Sequence, residues 1–148
     1  MANAFAAMNG LYLEDLKVGM SAMFGKTVTE ADIAAFAGVS GDTNPIHLHG
    51  GFAQTTRFGQ RIAHGMLSGS FISTVVGTKL PGPGSIYVSQ TLAFMAPVLI
   101  GETITAVATV TAIDEKRRRV TLKTQCLNGD KVVIDGEATI LVPRRDVA

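Results

Sequence analysis

Disulfide-forming cysteine, tryptophan and charge are scarce in this chain of 148 residues. The one cysteine, Cys126, cannot close an internal disulfide and has no evident catalytic partner, so it reads as a buried strand thiol in a reducing compartment. Charged residues make up 17% and the formal net charge is +1, which leaves no electrostatic footprint for nucleic acid. The one basic run, Lys116-Arg117-Arg118-Arg119, follows Asp114-Glu115 and reads as a solvated hairpin tip. No uninterrupted apolar run is long enough for a membrane span, because Ser68, Gly69, Ser70, Ser73 and Gly77 break the most apolar stretch. The N-terminus lacks the basic and long apolar regions of a signal peptide. The expectation is a soluble cytoplasmic protein.

Apolar residues make up 47%, enough for one real core, so residues 1–148 read as a single domain whose first ten residues form a loose tail. A first strand is expected near 20–28. Thr29 then caps a short helix with Asp32 as a partial capping box, and Gly38 ends it. From Gly41 to Gly51 the chain should be irregular, since Pro45 forces Asn44 out of the helical region and lacks a donor itself. Residues 52–56 read as another short helical turn, which Phe58-Gly59 breaks. The longest helix runs from His64 to about Lys79, apolar around most of its circumference and rich in small residues, as suits a buried helix wrapped by a curved sheet. Pro81-Gly82-Pro83-Gly84 stops it. Strand patterns follow over 85–98, 103–113, 120–126 and 132–142, with Asn128-Gly129 a hairpin turn and Gly136 a bend or bulge. The class is α+β: antiparallel strands joined by short turns around one long helix.

The chemistry gathers between Ser40 and Ser73, which holds all three histidines. Asp42 lies five residues before His47 on a bent loop, so the two side chains can share one water as acid and base. The same residues also fit a turn-capping aspartate and a satisfied loop histidine. If Gly65 opens the long helix, its N–H is free and suits a developing oxyanion, such as a thioester enolate; it also fits a plain helix-entry glycine. His64 fits either an orienting residue or a simple cap. His47-x-His49 with His64 could ligate a metal, but no cysteine or carboxylate cluster completes a recognised spacing, so no metal is expected. There is no dinucleotide or phosphate-binding glycine loop, and no cofactor is expected.

The motifs S-G-D-x-N-P-I-H and R-F-G-x-x-I-A-H-G-M resemble the (R)-specific enoyl-CoA hydratases, the MaoC-like hydratases of the hot-dog fold. The likeness extends downstream to Leu80-Pro81-Gly82-Pro83-Gly84-Ser85-Ile86-Tyr87 and to Ala96-Pro97-Val98. It implies an antiparallel sheet wrapped on the long helix, a homodimer, and an enoyl-CoA substrate. Asp42 and His47 match the catalytic pair that adds water to C3 of a trans-2-enoyl thioester. Gly65 matches the backbone donor to the thioester carbonyl, and Asn44 and Ser73 match supporting positions, Ser73 close to the catalytic loop. The product, an (R)-3-hydroxyacyl-CoA, is of the kind that feeds polyhydroxyalkanoate synthesis. One departure is His49, where the family commonly has aspartate. Two alternatives are another hot-dog enzyme (thioesterase or acyl-carrier-protein dehydratase) and a non-catalytic acyl-CoA-binding protein. The enzymes of the first alternative place a carboxylate on the central helix, and residues 64–80 contain none.

Overall fold

The computed structural model describes residues 4–145, and these share one apolar core running from Leu13 to Val142. Six strands form one sheet: β1 (Ser21–Thr27), β2 (Ile86–Gln90), β3 (Ala93–Phe94), β4 (Thr103–Asp114), β5 (Arg119–Asn128) and β6 (Lys131–Leu141). The spatial order is β1-β4-β5-β6-β2, with the short β3 also on β6, and every pairing is antiparallel. The sheet curls over the long helix α4 (Gly65–Thr78), which packs on β1, β4 and β5. This is the hot-dog arrangement. No helix among the described residues is long and apolar enough to cross a membrane.

Period-two patterning builds the inner sheet face. On β4, Ile104, Ala106, Ala108 and Val110 are buried, and on β5 so are Val120, Leu122, Thr124 and Cys126, the face read from the sequence. Leu67, Phe71, Ile72, Val75 and Val76 of α4 fill the space beneath. Ala106 and Ala108 leave room for the helix between the larger side chains.

The first helix, α1 (Glu30–Ser40), begins with a full capping box: Thr29 and Asp32 exchange side-chain and backbone hydrogen bonds of 2.8 and 3.2 Å. Lys26 reaches Asp32 at 2.9 Å and holds its carboxyl below the usual range. Helix α1 does not stop at Gly38. It continues to Ser40 and ends on Gly41, whose φ of 76° suits a left-handed cap that other residues adopt at a cost. The loop expected to be irregular contains two short helices, α2 (Pro45–Leu48) and α3 (Gly50–Gln54). Pro45 sits at the first position of α2, where its missing N–H is no loss, so the same residue that bars α-helix before it starts one after it.

The apolar stretch 85–98 is not one strand. It divides into β2 and β3 because the chain between them presses on β6, where a Cβ at Gly136 would stand 1.9 Å from the Thr91 carbonyl oxygen. Gly136 therefore permits close backbone approach, while the register shifts fall at Tyr87/Ser89 and Cys126/Leu127. At the N-terminus, Gly10 and Leu11 donate to the carbonyls of Pro83 and Pro81, each at 2.8 Å, so the part of the expected tail nearest the domain is joined to the turn that follows α4. Residues 1–3 of that expected tail lie outside the described residues.

Candidate active site

Helix α1 delivers the chain to Asp42 through Ser40, whose hydroxyl donates to the Phe36 carbonyl at 2.6 Å and accepts from the Asp42 N–H at 3.1 Å. Asp42 then divides its carboxylate. Oδ1 accepts from the Asn44 N–H at 3.2 Å, a local turn, while Oδ2 stands 4.0 Å from His47 Nε2. That gap is too long for a direct hydrogen bond and suits two groups reaching one water molecule. The turn-capping contact and the approach to His47 therefore use different oxygens. Asn44 caps α2, its Oδ1 accepting from the Ile46 N–H at 3.1 Å.

His47 is buried, and its Nδ1 lies 2.7 Å from the Ile62 carbonyl oxygen. A carbonyl only accepts, so Nδ1 carries the proton and Nε2 presents a lone pair toward Asp42. His64 is 1% exposed and stacks on His47 with ring centroids 3.9 Å apart. Its Nε2–H donates to the Asp42 backbone carbonyl at 2.9 Å, and its other side packs on Phe36. His64 is thus the side chain that touches both members of the pair. Of the two readings left open by the sequence, the orienting one has these contacts, and no side-chain hydrogen bond caps α4.

The start of α4 has no side-chain cap, and Asp42, His47, His64, Gly65 and Met66 line one cavity of about 400 Å³ beside it, while the Leu67 N–H is already bonded to the His64 carbonyl at 3.1 Å. Phe94, on β3, covers the helix end closely: a Cβ at Gly65 would lie 2.7 Å from its ring. Gly65 leaves the space that the aromatic ring occupies. Ser73 lies two turns further along α4, exposed to solvent, and does not line this cavity.

His49 points elsewhere. Its Nδ1 accepts from the Phe52 N–H at 3.0 Å and caps α3. Aspartate is among the preferred residues at such a cap, so the departure at this position exchanges one N-cap acceptor for another. The sequence grouped His47 with His49 and His64; the structure replaces His49 by Asp42. One potential ligand atom from each of Asp42, His47 and His64 lies within 4.8 Å of the others, a cluster the histidine spacing did not reveal.

Three basic residues flank this stretch. Arg61 bonds the His47 carbonyl and pairs with Glu30, tying the loop to α1, and Lys79 donates to the Met23 carbonyl at 2.8 Å. Arg57 lines the cavity and stacks over Phe58 at 4.9 Å. Sequence reasoning missed Ser68, which also lines the cavity and is 1% exposed. Its place one turn after His64 on α4 was the available signal.

The MaoC like domain model matches residues 16–130. An (R)-specific enoyl-CoA hydratase from Rhodospirillum rubrum is 58% identical over 134 residues, 90% of this chain and 93% of that one. A 3-hydroxybutyryl-CoA dehydratase from Methylorubrum extorquens is 48% identical, covering 93% of this chain and 88% of its own. Among solved structures, the unliganded R-hydratase PhaJ1 from Pseudomonas aeruginosa superposes with a TM-score of 0.87 at 42% identity, covering 93% of this chain and 89% of that one.

Proposed function

The chain belongs to the MaoC-like domain family, and from that premise we propose that it is an (R)-specific enoyl-CoA hydratase, adding water reversibly to trans-2-enoyl-CoA. The observation that carries the reading is the 4.0 Å facing of Asp42 Oδ2 and His47 Nε2 beside the open end of α4. In this reading the water is held between the two side chains. Asp42 takes one proton from the water as oxygen attacks C3, His47, fixed by Ile62, accepts the other O–H at Nε2 and orients the water, and the proton taken up by Asp42 is the one delivered to C2. The Gly65 N–H receives the negative charge that develops on the thioester oxygen, aided by the positive end of the helix dipole. The reverse path dehydrates a 3-hydroxyacyl-CoA. The absence of any carboxylate in α4 supports this reading over hot-dog enzymes that carry one there.

The test is loss of enoyl absorbance with crotonyl-CoA, followed by chiral analysis of the product. Wild-type protein should form the (R)-3-hydroxy product. Asp42→Asn and His47→Gln should each lower kcat by about 10²–10⁴-fold, the range for a positioned acid or base. Near-full kcat in either variant would refute the pair assignment.

Two further parts of the reading are structural. Pairing of two chains through β2 is supported by an open sheet edge that exposes Ile86, Val88, Phe94 and Met95. Sedimentation at the mass of one chain across micromolar concentrations would refute it. A reducing, cytoplasmic setting is supported by the free buried Cys126.

A further inference from the structure

Two side-chain atoms lie buried without a hydrogen-bond partner among the described residues: His64 Nδ1 and Ser68 Oγ. Both residues are 1% exposed, both line the cavity, and they stand one helical turn apart at the start of α4. Leaving such an atom bare costs on the order of 10- to 100-fold in an equilibrium constant. Their chemistry is complementary. His64 spends its N–H on the Asp42 carbonyl, so Nδ1 holds a lone pair, while the Ser68 hydroxyl can donate and accept. On the sheet side of this turn the Cys126 thiol donates to the Ser68 backbone carbonyl at 3.3 Å, and the Ser68 hydroxyl has no part in that bond.

Their position decides what they can do. Asp42, Arg57, Met66 and Phe94 are exposed and form the mouth of the cavity. Ser68 and Ile134 are buried and form its inner wall, with Val98 beside them. The polar pair therefore sits on the buried side of the cavity, with His47 stacked on His64 and Ala63, Val98 and Ile134 as its apolar neighbours in the lining. We propose that His64 Nδ1 and Ser68 Oγ form an inner subsite for one water molecule, and that Ser68 thereby limits the length of acyl chain the enzyme accepts. This rests on the hydratase reading. A short enoyl group leaves the water in place. A longer alkyl chain must expel it and strip two buried polar atoms of their partner, which apolar contact does not restore.

The experiment compares kcat/KM for trans-2-octenoyl-CoA and crotonyl-CoA in wild-type protein and Ser68→Ala. Removing the hydroxyl removes half of the subsite, so the octenoyl-to-crotonyl ratio should rise about tenfold, the smaller penalty for one bare atom. A ratio within twofold of wild type, with wild-type protein active on crotonyl-CoA, overturns the inference and leaves the hydratase reading standing. Wild-type protein that hydrates neither thioester overturns both. A high-resolution crystal structure of the wild-type protein decides independently of whether the variant folds. An ordered oxygen within about 3.2 Å of both atoms is the expected result. A direct bond between His64 Nδ1 and Ser68 Oγ, with no third atom, refutes the subsite.

Discussion

Replacing Gly65 by alanine separates two reasons for a glycine at the head of α4. The new Cβ would stand 2.7 Å from Cδ1 and Cε1 of Phe94. Carbon atoms rest at about 3.5–4.0 Å, so the ring must move by about 1 Å. Phe94 is 53% exposed on a strand of two residues, and it can swing toward solvent. Overpacking costs about 1–3 kcal/mol, and alanine returns up to about 1 kcal/mol of helix propensity. The net loss is at most about 3 kcal/mol, a fall in Tm of less than about 12 °C for a chain of this size. The variant stays folded, because domains carry about 5–15 kcal/mol. Catalysis should suffer more. Losing one oxyanion donor costs about 10²–10³-fold, and a methyl group crowding that donor should cost at least about tenfold in kcat/KM. The decisive arm is Gly65→Ala in a Phe94→Ala background, where no ring remains to be displaced. Crotonyl-CoA hydration should stay at least about tenfold below Phe94→Ala alone. Recovery to the Phe94→Ala rate would mean that the glycine serves only to seat the ring, and the oxyanion assignment would be wrong.

Changes elsewhere have equally definite outcomes. His49→Asp should keep the cap on α3 and hold kcat/KM within about threefold, whereas His49→Ala should lose about 1 kcal/mol in urea unfolding; equal stability of the two variants would refute the capping role. Gly136→Ala places a Cβ 1.9 Å from the Thr91 backbone oxygen, which no side-chain motion relieves. Its urea midpoint should fall by the equivalent of about 3 kcal/mol or more, and an unchanged midpoint would show that β6 and the β2–β3 link can separate freely. Burial pushes the Cys126 thiol up to about 12, so the folded protein should resist iodoacetamide at pH 8 and label fully in urea. Stoichiometric labelling on mixing would contradict that burial.

Much of the scaffold obeyed rules that act over a few residues. Thr29 with Asp32 started α1, Asn128-Gly129 turned β5 into β6, and the alternation through Val120, Leu122, Thr124 and Cys126 marked the buried face. These features are legible because each depends on neighbours within one turn or on a period of two. The errors lay where a distant segment intervened or where one residue can both break and cap a helix. Thr91 against Gly136 divided the long apolar stretch, and the left-handed freedom of Gly41 let α1 pass Gly38. The loop from Gly41 to Gly51 contained short helices because Asn44, Pro45 and His49 form caps as well as breaks.

By itself the sequence determined the antiparallel sheet around one long helix, the spacing of Asp42 and His47, and the glycine that opens α4. Those follow from periodicity, proline and glycine stereochemistry, and short-range capping. Only the tertiary structure decided which histidines lie together. His64 lies 17 residues beyond His47, yet the fold stacks their rings 3.9 Å apart and turns His49, two residues from His47, toward a helix cap. It also buried Ser68 beside the cavity. No sequence spacing carries that information, because burial and hydrogen-bond partnership are set by the packing of α4 against the sheet and the loop, where an unmade hydrogen bond is costly and a side chain turns to the partner within reach.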